Sequence, residues 1–90
     1  MSKTIYTVTE SNIQLNIIIK KINEKAFVAG FSYFKKSPEK IVSYIDCDNK
    51  LFTTEEAGYV FACRRAKTYL FKIKEGENLV SKLMEKYNKY

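Results

Sequence analysis

The chain has 90 residues, with 16 Lys and Arg against 10 Asp and Glu, a formal net charge of +6, 46% apolar residues, two cysteines and no histidine. That length admits one domain, near the lower limit at which an apolar core supports folding without staples, and the apolar content belongs to a globular protein. Two cysteines are too few for a disulfide scaffold, and the missing histidine removes the commonest metal ligand and the commonest general base at neutral pH.

Ile5-Tyr6-Thr7-Val8 reads as a short edge strand. Ile13, Leu15, Ile17 and Ile19 alternate with Gln14, Asn16 and Lys20, the period of a strand, over about residues 12–22. Residues 26–34, Ala-Phe-Val-Ala-Gly-Phe-Ser-Tyr-Phe, are rich in β-formers, and Asn23-Glu24-Lys25 is a connection of hairpin length. Both faces of this second strand are partly apolar, so a central position is expected, with Gly30 marking a bulge or a close backbone approach. Ser37-Pro38-Glu39-Lys40 reads as a turn, because proline cannot continue a ladder. A third strand follows at about Ile41 to Cys47.

Thr53-Thr54-Glu55-Glu56 signals a helix start: the Thr53 hydroxyl caps the N3 amide, Glu56 reaches back and Phe52 staples. The helix is placed at about 54–66. Gly58 and an ill-defined apolar stripe weaken it, and the alternation of Tyr59, Phe61 and Cys63 suits a hairpin equally well. Tyr69, Phe71 and Ile73 share one face of a half-buried strand at 68–74. Leu79, Val80, Leu83, Met84 and Tyr87 then recur with the spacing of an amphipathic helix, with Lys82, Glu85, Lys86 and Lys89 on its wet side. The sum is one α+β two-layer domain over 1–90: a mostly antiparallel sheet of about four strands, with one or two helices on one face and a C-terminal amphipathic helix.

No apolar run approaches the roughly 20 residues that cross a bilayer. The N-terminus lacks the apolar stretch of a secretory signal, so a cytoplasmic location, in the cell or a host cell, is expected. Abundant Lys, Asn, Ile and Tyr suggest an AT-rich genome, which fits a phage, viral or plasmid origin.

Charge is unevenly placed. Residues 1–45 carry +4, residues 46–58 carry −3 and residues 59–74 carry +5. The last stretch sets Arg64, Arg65, Lys67, Lys72 and Lys74 among Tyr59, Phe61, Tyr69 and Phe71 without one carboxylate. Cations neutralise phosphates and release counterions, while exposed rings stack on unpaired bases. The candidate nucleic-acid-binding residues are therefore Lys35, Lys36, Arg64, Arg65, Lys67, Tyr69, Lys72 and Lys74, with Tyr33 and Phe71 as further stacking candidates. The competing reading puts the rings in the core and leaves the lysines to keep the chain soluble.

Other chemistry finds less support. Asp46-x-Asp48 opens like a calcium loop, but Lys50, Leu51 and Ala57 stand where a ligand, a glycine and a glutamate are required, so a solvated loop is expected. Three scattered glycines exclude phosphate-binding and dinucleotide fingerprints. Cys47 and Cys63 read as reduced, semi-buried thiols without an activating base. A non-enzymatic protein without cofactor or metal is expected, binding nucleic acid, DNA or RNA, through its basic surface. The alternative is a phage- or virus-type interaction or inhibitor protein that meets an acidic host protein or a small anionic ligand. The last helix is expected to pack on the sheet, yet its stripe also suits a homodimer, and the sheet edge suits strand addition.

Overall fold

The computed structural model describes residues 2–10, 12–38, 41–47, 49–70 and 74–88, with the backbone alone for residues 10, 47, 74–77 and 86–88. Four strands come first: β1 (Ser2–Glu10), β2 (Ile13–Asn23), β3 (Ala26–Lys36) and β4 (Ile41–Cys47). Two helices follow, α1 (Glu55–Tyr69) and α2 (Lys74–Asn88). The strands form one antiparallel meander in the order β1-β2-β3-β4, so β3 is central, as its two partly apolar faces predict. This is the expected small α+β fold.

The period-2 pattern of β2 sets its two faces. Ile13, Leu15, Ile17 and Ile19 are buried while the intervening residues are not. Register places Leu15 beside Tyr33, Ile17 beside Phe31 and Ile19 beside Ala29, with Val8, Tyr6 and Thr4 on the β1 side. Val42, Tyr44 and Asp46 of β4 share this face, because Tyr44 lies beside Tyr33 and Asp46 beside Phe31. Both helices cover it, α1 packing on β2 and β3, and α2 on α1 and β1.

Among the described residues, no helix packs on the other face of the sheet. Its centre is a polar ladder: the Thr7 hydroxyl donates to Asn16 Oδ1 at 2.7 Å, Gln14 Nε2 donates to the same oxygen at 3.1 Å, and Asn16 Nδ2 donates to Ser32 Oγ at 2.9 Å. Cross-strand side-chain pairs of this kind add to the main-chain ladder and hold register where little core packing acts.

The β2–β3 connection is as tight as its sequence suggests. Asn23 Oδ1 accepts from the Lys25 amide at 2.9 Å across the Glu24-Lys25 turn. The sheet irregularity lies here, between Lys21 and Asn23, and not at Gly30, which pairs regularly with Ile18 and Cys47. A turn stabilised by an Asx side chain absorbs the extra residue more easily than the crowded centre of the sheet.

Helix α1 starts one residue later than the capping-box reading. The N-cap is Thr54, whose Oγ1 accepts from the Ala57 amide at 3.1 Å, with Glu55 and Glu56 in the first turn. Phe52 is held outside the helix by a reciprocal backbone pair with Phe27, at 2.9 and 2.8 Å, and Thr53 is thereby kept off the cap. Glu55 accepts instead from the Tyr6 hydroxyl at 2.6 Å, tying the helix start to β1.

The buried side of α1 is Gly58, Tyr59, Ala62, Cys63 and Ala66. Gly58, Ala62 and Ala66 are four apart, so a row of small residues faces the sheet and the helix sits close to it. A Cβ added at Gly58 would lie 3.3 Å from Ala29 Cβ. Close approach thus replaces a stripe of large side chains, which explains why the apolar pattern reads poorly.

The strand expected at 68–74 is not formed at its start. Thr68 and Tyr69 belong to α1, the Thr68 hydroxyl donates to the Arg64 carbonyl at 3.0 Å, and the Leu70 amide donates to the Ala66 carbonyl. Leu70 is fully buried one turn beyond Ala66, so burial favours continuing the helix over the period-2 alternative. Residues 71–73 lie outside the described residues. The fourth strand is instead the N-terminal β1. In α2, Leu79, Val80 and Leu83 are buried and Met84 is half-buried, while Lys82 and Glu85 are exposed, as the stripe predicts; the side chains of Lys86 and Tyr87, and Lys89, lie outside the described residues. The Tyr59 hydroxyl donates to the Leu83 carbonyl at 2.6 Å, joining the two helices inside the core.

Candidate nucleic-acid interface

Helical spacing brings Phe61, Arg64, Arg65 and Thr68 to one side of α1, at i, i+3, i+4 and i+7. That strip faces β4, and together with Tyr44, Asp46 and Tyr69 it lines an open groove of about 560 Å³. Arg64 also borders two further grooves: one between the helices with Lys67, Val80 and Met84, and one over the start of α1 with Lys50, Phe52 and Val60. Lys50, Arg64 and Lys67 are all exposed. Arg64 and Lys67 thus stand on the outer surface of α1 and Lys50 in the segment before it, with the carboxylates Glu85 and Glu56 also lining the two further grooves.

Arg65 is committed within the molecule. Its Nε and Nη2 donate to Asp46 Oδ1 and Oδ2 at 3.0 and 2.7 Å, a bidentate fork in which Asp46 is largely shielded from water. Part of the positive charge anticipated at Arg65 is thus neutralised, and Asp46 is withdrawn from any role as a metal ligand with Asp48, which lies outside the described residues. Groups of three or more metal-ligating side chains are absent among the described residues.

The aromatic residues divide between core and surface. Tyr33 is 1% exposed and belongs to the core, which rules it out as a stacking platform. Tyr69 is half-buried, stacks on Tyr44 at 4.0 Å with rings 12° apart, and leans on Phe31 and Tyr33. Tyr44, 37% exposed, presents the accessible part of that pair to the groove. Phe61 packs on Phe52 at 5.0 Å, and Lys50 Nζ and Arg65 Cζ lie 5.2 and 5.7 Å from the Phe61 ring, within cation–π range.

The remaining predicted residues separate. Lys35 and Lys36 end β3, but alternation sends them to opposite faces, Lys35 with Val42 on the helix side and Lys36 with Ile41 on the open side. Only Lys35 stands on the side of α1. Lys72 lies outside the described residues, as does Phe71, and Lys74 opens α2 with its side chain outside them. Tyr44 and Lys50 are groove residues that sequence pattern alone does not single out. Alternation along β4 groups Tyr44 with Asp46, but nothing in the sequence says that α1 will lie beside them.

Cys63, on the buried side of α1, forms no disulfide. Burial pushes its thiol up from the usual 9.0 to about 12, and hydrogen bonding with Tyr59 offsets this only in part. A thiol held protonated at neutral pH is a poor nucleophile. The folded pKa is raised, so the unfolded chain loses this proton first: the contribution is intact below pH 9 and is lost as pH rises from about 9 to about 12. Alkaline unfolding of Cys63→Ala, set beside that of the parent chain, is expected to show a shallower fall in stability above pH 9. Equal slopes would overturn the assignment.

Comparison with protein-family models, with curated proteins and with solved structures returns no match for this chain.

Proposed function

We propose that this protein binds nucleic acid through the outer surface of α1, with Arg64 at the centre, Lys50 and Lys67 on either side, and the Tyr44–Tyr69 pair at the groove wall. The observation that carries the reading is the position of Arg64: one exposed guanidinium borders three grooves that each hold an apolar or aromatic wall. Guanidinium forks fit phosphate oxygens, and a half-exposed tyrosine ring suits an unpaired base better than a duplex. Single strands are accordingly the preferred substrate, and no enzymatic step is proposed.

Fluorescence anisotropy of labelled single- and double-stranded oligonucleotides tests it. Micromolar or tighter binding to single strands is expected at about 50 mM salt, falling by an order of magnitude or more at about 200 mM, as several phosphate contacts require. No binding at the lower salt would overturn the reading. Asp46→Asn removes the carboxylate that offsets Arg65, and is expected to tighten binding several-fold at a stability cost of about 1 kcal/mol, because the Arg65 side of the pair is open to water. Weaker binding by this variant would count against the groove.

A phage- or virus-type interaction protein acting on a host protein is the second reading. The exposed apolar residues Ile5 and Phe34 on the helix-free face favour it. Affinity capture from lysate, paired with failure of the oligonucleotide titration, would move the assignment there.

A further inference from the structure

Strand β4 ends the sheet. It pairs with β3 on one side, and among the described residues no strand pairs with its outer edge. Natural edge strands are blunted by lysine, proline, bulges or a covering loop. Ile41-Val42-Ser43-Tyr44-Ile45 contains neither lysine nor proline, and its register with β3 is regular, without a bulge. Ile41 is 62% exposed and Ile45 is 68% exposed. The opposite edge, β1, carries Lys3 and three threonines instead.

We infer that β4 is a self-pairing edge, joining two copies of this chain as an antiparallel β4–β4 pair with the two-fold axis at Ser43. The segment is self-complementary about that residue. Ile41 then lies opposite Ile45 of the second copy, Val42 opposite Tyr44, and Ser43 opposite Ser43. Alternation places the two Ile–Ile pairs on the helix-free face and the Val–Tyr pairs on the helix face. Centring on Tyr44 instead would set Val42 against Asp46 and Ser43 against Ile45, which forfeits the apolar matches. Charge favours the same edge: in a chain of net charge +6, its outward residues 41–45 carry none, and Asp46 beyond them is held by Arg65. Two copies meet here without lysine facing lysine.

The result is a continuous eight-stranded sheet, twice the four strands of one chain, with a groove of the kind lined by Tyr44 and Arg64 on each side of the axis. The inference stands on β4 alone and does not require nucleic acid.

Sedimentation equilibrium from about 1 µM to about 300 µM tests it, a range suited to an interface smaller than the standard size. A concentration-dependent dimer is expected, and Ile45→Lys is expected to be monomeric throughout with unchanged circular dichroism, its melting temperature matching the parent's at concentrations where the parent is a monomer, since the side chain of a single chain is mostly in water. A second variant reads the register: Ser43→Cys in a Cys47→Ser background places two thiols across the axis. Facing Cα atoms in an antiparallel pair are about 4.5–5.5 Å apart, within disulfide range, so mild oxidation is expected to give a covalent dimer. A parent chain monomeric at the highest concentration, a dimer that survives Ile45→Lys, or no cross-link at a dimer-populating concentration would each overturn the inference.

Discussion

Arg64→Glu combined with Lys67→Glu is expected to weaken single-strand binding by about 10²- to 10⁴-fold at low salt, each reversed charge removing a charge-assisted hydrogen bond of about 1.5–3 kcal/mol. The salt dependence should also flatten, the slope of log affinity against log salt falling by about one for each phosphate no longer neutralised. Both side chains are exposed, so the fold should survive. Lys67 lies in the last turn of α1, and a negative charge there opposes the helix dipole by only about 0.3–1 kcal/mol. Anisotropy at several salt concentrations, with a thermal melt of the same sample, separates impaired binding from impaired folding. Unchanged affinity in a folded variant would remove α1 from consideration as the binding surface.

Gly58→Leu is expected to destabilise the domain by about 1–3 kcal/mol, the usual cost of forcing extra methylenes into a packed core. The first added carbon would already stand 3.3 Å from Ala29 Cβ and 3.6 Å from the Phe52 ring, so a branched side chain has nowhere to go without lifting α1 from the sheet. For a domain of this size, each kcal/mol corresponds to a fall of about 4–8 °C in melting temperature. Gly58→Ala divides the two effects present at this position. Its gain in helix propensity of about 1 kcal/mol opposes the tight Ala29 approach, and the variant should stay within about 1 kcal/mol of the parent. A Gly58→Leu variant as stable as the parent, in a urea melt, would mean that α1 is not seated on β3 as described.

Strand positions were legible wherever one face of a strand is buried. The alternation from Ile13 to Ile19, the β-formers of 26–34 and the stripe from Leu79 to Met84 all carry their periodicity in large apolar side chains, and each element lies where that periodicity places it. The N-terminal edge strand was legible too, though shorter than the observed Ser2–Glu10. Legibility failed along α1, whose inner row of Gly58, Ala62 and Ala66 has little hydrophobic signal to give. It failed again at Thr68–Leu70, where a short period-2 window also fits the last turn of a helix.

The candidate site divides in the same way. The local cluster of Arg64, Arg65 and Lys67 was visible because helical neighbours are also sequence neighbours. Whether each charge is available was not visible. Arg65 meets Asp46, 19 residues away, and Tyr69 meets Tyr44 across the gap between helix and sheet edge. Lys35 and Lys36, adjacent in sequence, part company because a strand turns consecutive side chains to opposite faces.

Composition and local periodicity therefore settled the fold class, the central position of β3 and the basic character of the chain, since these follow from how apolar and charged residues recur over a few positions. Which tyrosines reach solvent and which arginine is neutralised were decided only when α1 docked beside β4. Those properties depend on contacts between segments distant in the chain, and short-range periodicity carries no record of them.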